Sequence, residues 1–189
     1  MTPAQSLEVI QHMVRQAKRS VQKSNYYFLL WGSLFATAGV IDHALRVNGF
    51  DLHWLVWPVM GLIGAVLSGI RGAREGRESG VMTMMDRVQM WLWISYTITL
   101  VLVIVAVVSS GGDPNAYVLL LTGLPTFVSG VLIRFKPLVI GGMLFWAIGL
   151  VLLFALQEHS SLVFAFALLV GYIIPGILLK RHEDGLRSA

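Results

Sequence analysis

The sequence predicts an all-α polytopic membrane protein: six transmembrane helices arranged as three hairpins, preceded by a cytoplasmic amphipathic helix. Three observations predict it. Hydrophobic residues make up 56% of the 189-residue chain, charged residues only 13%, and mean hydropathy is +0.74, a balance foreign to water-soluble domains. Six continuously apolar stretches each have the length that crosses a hydrocarbon layer about 30 Å thick. When the chain is cut at those stretches, all but one of its 14 lysines and arginines fall on the same side. A β-barrel would instead alternate apolar and polar residues in short segments.

The elements follow in order. Thr2-Pro3-Ala4-Gln5 reads as an N-cap, a proline at the first helical position and a glutamine three after the cap, so a helix starts there. Leu7, Ile10, Val14, Ala17 and Val21 then recur at helical spacing, while Arg15, Lys18, Arg19 and Gln22 take other faces. This pattern describes a basic amphipathic helix lying in the membrane interface over residues 1–24. The apolar spans are placed at 26–44, 54–70, 88–108, 116–133, 138–156 and 162–179. They fall within a bundle domain 25–180, and 181–189 is a cytoplasmic tail. Ala36-Thr37-Ala38 fits the small-residue pattern of a signal cleavage site, but the segment before it is too long for an n-region, so the first span is expected to stay.

Charge sets the orientation. Arg15, Lys18, Arg19, Lys23, Arg71, Arg74, Arg77, Arg87, Arg134, Lys136, Lys180, Arg181 and Arg187 share one side, and Arg46 alone lies on the other. By the positive-inside rule both termini are cytoplasmic and the loops near 45–53, 109–115 and 157–161 face outward. The +4 net charge therefore describes a face drawn to anionic lipid. It does not describe a nucleic-acid surface, because the 71–87 stretch mixes its arginines with Glu75, Glu78 and Asp86 and carries no recognition motif. Gly72, Gly76 and Gly80 lie among these charges and read as a flexible inner loop. Thr83-Met84-Met85-Asp86 reads as the capping box that opens span three.

A tandem repeat is visible. Phe28-Leu29-Leu30-Trp31, Met90-Trp91-Leu92-Trp93 and Met143-Leu144-Phe145-Trp146 stand near the inner ends of the odd spans. Each even span holds one proline (Pro58, Pro125, Pro175) and a basic residue at its inner end (Arg71, Arg134, Lys180). Three tandem hairpins account for the pattern.

Two places carry candidate chemistry. The outward loops gather Asp42, His43, Asp51, His53, Asp113, Glu158 and His159. Of these, His43, His53, His159, Asp42 and Glu158 supply the imidazole and carboxylate donors of a zinc site, in which a bound water becomes a nucleophile. No HxxxH or HExxH spacing supports it. The structural alternative explains the acids one by one. Asp42 stands four residues before Arg46, the favourable order for a helical ion pair. Asp113-Pro114 caps span four, and Asp51 and Glu158 each precede an even span, where a carboxylate complements the helix dipole.

Within the hydrocarbon layer no ionised residue stands at mid-span, which argues against proton relays and ion-coupled pumps. The neutral polar groups there include Ser33, Thr37, Ser95, Tyr96, Thr97, Thr99, Thr122, Thr126 and Ser129. They either bond between helices or line a pocket for a neutral or lipid-like ligand, with Tyr96, Thr122 and Thr126 as its candidate walls beside the helix breaks at Pro125 and Pro175. Gly61, Gly64, Gly141, Gly142, Gly149, Gly171 and Gly176 are expected to permit close helix packing. The chain has no cysteine, which removes thiolate catalysis and cysteine metal sites.

Ser24-Asn25-Tyr26-Tyr27-Phe28-Leu29-Leu30-Trp31-Gly32, Phe135-Lys136-Pro137-Leu138-Val139-Ile140-Gly141-Gly142 and Gly171-Tyr172-Ile173-Ile174-Pro175-Gly176 resemble segments of a family of small, functionally uncharacterised bacterial six-helix inner-membrane proteins. The resemblance implies the topology and a bacterial inner-membrane setting, and it carries over no functional residue. Together these readings point first to a non-enzymatic binding or regulatory module that recognises lipid, a small ligand or a membrane partner. Its contacts to membrane-protein or cytoplasmic partners would run through residues 1–24 and 71–87. A facilitator or channel for a neutral solute and an outward-facing zinc-dependent hydrolase are the alternatives. No cofactor is called for by the first two.

Overall fold

The computed structural model describes residues 3–79 and 84–178, with side chains for 25–77 and 84–178. The helices are α1 (Pro3–Val47), α2 (Val56–Ser79), α3 (Met84–Ser109), α4 (Asn115–Leu132), α5 (Lys136–Phe154) and α6 (Ser160–Leu168). The last continues through a π-helical turn, Leu169–Ile173, into a helical end at 174–178. Short 3₁₀ turns, His53–Leu55 and Gln157–His159, precede α2 and α6. Six of these segments are long and apolar enough to cross a membrane, and no strand occurs among the described residues.

Two boundaries differ from the sequence reading. The helix that starts at Pro3 does not end near residue 24 but runs unbroken for 45 residues, a length of about 68 Å. No proline or glycine stands between Pro3 and Gly32 to stop it. The interfacial face expected over 1–24 lies outside the described side chains, as do the Thr83 cap and the tail 181–189. The second difference is a correction: the stretch from 71 is not a loop, because α2 stays helical to Ser79 with Gly72 and Gly76 inside it. A bond from Arg71 Nε to Glu75 Oε1 (2.7 Å) joins consecutive turns there, and Arg71 lies over the Tyr26 ring with its Cζ 5.1 Å from the centroid.

Three helices end alike. Behind α1, α3 and α4 the chain reverses through Schellman caps: Phe50 N donates to Leu45 O, Gly112 N to Val107 O and Phe135 N to Gly130 O. The left-handed residue is Gly49 (φ 76°) in the first and Gly111 (φ 75°) in the second, but Arg134 (φ 55°) in the third.

The core lies among α1, α4, α5 and α6, centred on the fully buried Leu119, Leu138, Phe145 and Leu152. The most extensive pairing is α4 with α5, followed by α1 with α6. Among the described residues α2 packs along α1 and the turn before it, and α3 packs along α4 and buries none of its own residues. The repeated tryptophans take three different settings. Trp31 covers Gly64 on α2, Trp146 covers Gly123 on α4, and Trp93 meets Phe28 and Tyr96.

The α4–α5 seam is closed by alternating glycines. A Cβ on Gly130 would lie 2.6 Å from Val139 N, one on Gly142 would lie 2.6 Å from Phe127 N, and one on Gly149 would lie 3.0 Å from Leu120. The contacts of Gly130 and Gly142 lie one helical turn apart and those of Gly142 and Gly149 two turns apart, so the helices run along an antiparallel line and touch backbone to backbone at Gly130 and Gly142. Trp146 also donates from Nε1 to Leu120 O at 3.0 Å, on the turn of α4 that Pro125 weakens by lacking an N–H. In α6 the π turn directly precedes Pro175, which cannot donate to Gly171 O. A Cβ on Gly141 would lie 2.5 Å from that same oxygen, so α5 meets α6 where its ladder opens.

Candidate functional site

The outward loops of the sequence reading form one end of the bundle. Asp42, in the last turns of α1, is completely buried. Its Oδ1 accepts from His53 Nδ1 at 2.8 Å, and its Oδ2 accepts from Arg46 Nη2 at 3.3 Å and from Ser161 Oγ in a short hydrogen bond. One carboxylate therefore ties α1 to the turn before α2 and to the first turn of α6. The expected Asp42–Arg46 ion pair is formed, but it is only one part of this junction.

A second acid repeats the arrangement beside it. Asp113 Oδ1 accepts from Asn115 N at 2.9 Å, the bond expected of a capping residue, and its Oδ2 accepts a short hydrogen bond from Ser160 Oγ. Asn115 Nδ2 donates back to Ser160 Oγ at 3.2 Å. The consecutive serines that open α6 thus reach in two directions, Ser161 to α1 and Ser160 to the start of α4. Both serines are buried, and since Asp42 is buried too, the bond from Ser161 is shielded from water, while Asp113 is exposed.

The expected metal donors divide between contacts. His53 is held by Asp42, and His43 meets His159 edge-on with ring centroids 5.9 Å apart, while Glu158 is exposed on the turn before α6. Among the described residues no three His, Asp or Glu side chains gather at a spacing that could hold a metal ion. The buried acid is surrounded by hydrogen-bond donors instead.

The candidate pocket residues Tyr96, Thr122 and Thr126 do meet, inside the bilayer region. Thr122 Oγ1 donates to Val118 O (2.6 Å) and Thr126 Oγ1 to Thr122 O (2.7 Å). A threonine hydroxyl has one proton, so Tyr96 donates to Thr122 (2.6 Å) and Tyr172 to Thr126 (3.0 Å). The four hydroxyls close on one another and on the α4 backbone, linking α3, α4 and α6. Replacing Tyr96 or Tyr172 with phenylalanine is expected to cost about 0.6 kcal/mol each, the average for a hydrogen bond between membrane helices, measured by reversible denaturation in mixed micelles.

Sequence reasoning missed Ser160, Ser161, Asn115 and Tyr172. A signal existed for the serines, which directly follow His159 at the start of an apolar run and so mark a polar rim. Tyr172 is the one phenol in span six. The opposite end of the bundle carries Tyr27, whose hydroxyl donates to Glu75 Oε2 at 3.3 Å, together with the exposed Arg74, Arg77, Arg87, Arg134 and Lys136.

No protein-family model, curated protein or solved structure matches this chain.

Proposed function

We propose that the chain is a non-enzymatic binding module of a bacterial inner membrane that recognises a lipid or membrane partner in the plane of the bilayer. Its basic end, with residues 1–24 and 71–87, faces the cytoplasm. The observation that carries this reading is the contrast between a closed interior and an open flank. The polar groups Tyr96, Thr122, Thr126 and Tyr172 are engaged with each other, and the α4–α5 seam brings backbone against backbone. By contrast α3 buries no residue and keeps Leu102 (65% exposed) and Val105 (62%) outside. A helix held along one edge only has its remaining faces available for binding.

Because the chain lacks cysteine, a single thiol at Leu102 is unique and can be crosslinked in native membranes. A discrete adduct is expected from that position. Purified protein in liposomes should pass glycerol or urea no faster than empty vesicles. Solute-dependent shrinkage that falls in Thr126→Val would overturn the reading in favour of a facilitator.

A further inference from the structure

We propose that the lateral groove between the outward halves of α5 and α6 holds one acyl chain of an amine-headed phospholipid. This deepens the reading of the chain as a membrane-embedded binding module and rests on it. Ala147, Ile148 and Val151 of α5 face Leu162, Val163 and Phe166 of α6 across a groove of about 410 Å3, and Leu156 closes its outward end. All six flanking residues lie inside the membrane-spanning segments Lys136–Phe154 and Gln157–Leu178, so the medium at its open side is hydrocarbon. The groove has a floor because α5 and α6 are pinned together further in, where Gly141 abuts the Gly171 carbonyl and Phe145 packs on Tyr172 with centroids 4.9 Å apart. The two helices meet there, and the groove between their outward halves has no polar wall.

The headgroup is inferred from charge. Directly above Leu156 the turn Gln157–His159 brings the exposed Glu158 to the level of lipid headgroups. Among the described residues the other acids at this end are the buried Asp42 and the exposed Asp51 and Asp113, and the one arginine, Arg46, is bound to Asp42. Arg46 is thus compensated by the buried Asp42, so a headgroup of net negative charge is repelled by the exposed Glu158, whereas an ammonium beside it is attracted.

The experiment reconstitutes the full chain in vesicles of equal phosphatidylethanolamine and phosphatidylglycerol in both leaflets, with a photoactivatable diazirine on the acyl chain of one or the other. Adducts are mapped by mass spectrometry. Groove residues should be labelled above the exposed α2 face around Leu62 (68% exposed), and about fivefold more from phosphatidylethanolamine, the discrimination one surface charge supplies. Ala147→Phe and Val151→Phe, both placed where the side chain is exposed, should lower groove labelling while labelling at Leu62 stays constant, which also reports an intact fold. Glu158→Gln should bring the two lipids to equality. Groove labelling no greater than that of the α2 face around Leu62, or equal labelling of the groove from both lipids in the unaltered chain, overturns the proposal. Crosslinking of the Leu102→Cys chain is a separate measurement, so failure of the groove and failure of the binding-module reading are told apart.

Discussion

Replacing Asp42 with alanine is expected to destabilise the bundle by about 3 kcal/mol, within the range for removing one partner of a buried charged network. The carboxylate is completely buried and receives three donors from three elements. Its loss leaves the Ser161 hydroxyl, itself 1% exposed, without an acceptor and opens a cavity between α1 and α6. Arg46 contributes little to this figure, since its side chain is 40% exposed and solvent weakens the pair. Asparagine is a sharper probe. Its oxygen can keep the bonds from Ser161 and Arg46, and its amide can donate to His53 once that ring adopts the tautomer with a bare Nδ1. Asp42→Asn is therefore expected to cost about 1 kcal/mol, the net value of an ordinary hydrogen bond. Both are measured as shifts in reversible denaturant unfolding. If Asp42→Ala unfolds within 1 kcal/mol of the unaltered chain, the junction does not hold this end of the bundle together.

The legibility of this protein follows the range of the interactions. The six spans, their order and the Asp113 cap depend on local composition and on bonds between residues two apart, and these stand in the sequence itself. The Asp42–Arg46 pair was legible for the same reason, being one helical turn long. Ser161 reaches Asp42 across 119 positions and Ser160 reaches Asp113 across 47. No periodicity encodes such contacts, because they exist only once α6 lies beside α1 and α4. The grouping of Tyr96, Thr122 and Thr126 was legible as a set of neutral polar residues in an apolar layer. Their bonding partner Tyr172 was not, since a single phenol has no spacing to read. The Ser79 end of α2 was misread because arginines and glycines imply a loop, whereas opposite charges at i and i+4 can carry a helix on past its apolar stretch. The partners of the glycines also lay beyond reach. Gly61 stands in open contact while Gly39, Gly123 and Gly130 abut a neighbouring helix, and composition does not separate them.

That difference among glycines yields the second large effect. Gly142→Leu is expected to abolish the folded state, and Gly142→Ala to cost about 1–3 kcal/mol as overpacking. A Cβ at this position would stand 2.6 Å from Phe127 N and 2.8 Å from Phe127 Cα. Those atoms belong to the α4 backbone, so no rotamer change relieves the clash. Separation of α4 from α5 would also weaken the neighbouring contacts at Gly130 and Gly149 and lengthen the Trp146 bond to Leu120 O. The same substitution at Gly69 supplies the control, because nothing lies within 4 Å of its would-be Cβ. There the higher helix propensity of alanine acts alone, so Gly69→Ala is expected to be neutral or stabilising by up to about 1 kcal/mol. Unfolding midpoints of the alanine pair, with the yield of monodisperse Gly142→Leu protein, distinguish the two positions. Equal midpoints for Gly142→Ala and Gly69→Ala would show that α4 and α5 do not meet backbone to backbone. The core would then have to be held by its large side chains, with Phe145 and Leu119 at the centre rather than the glycine line beside them.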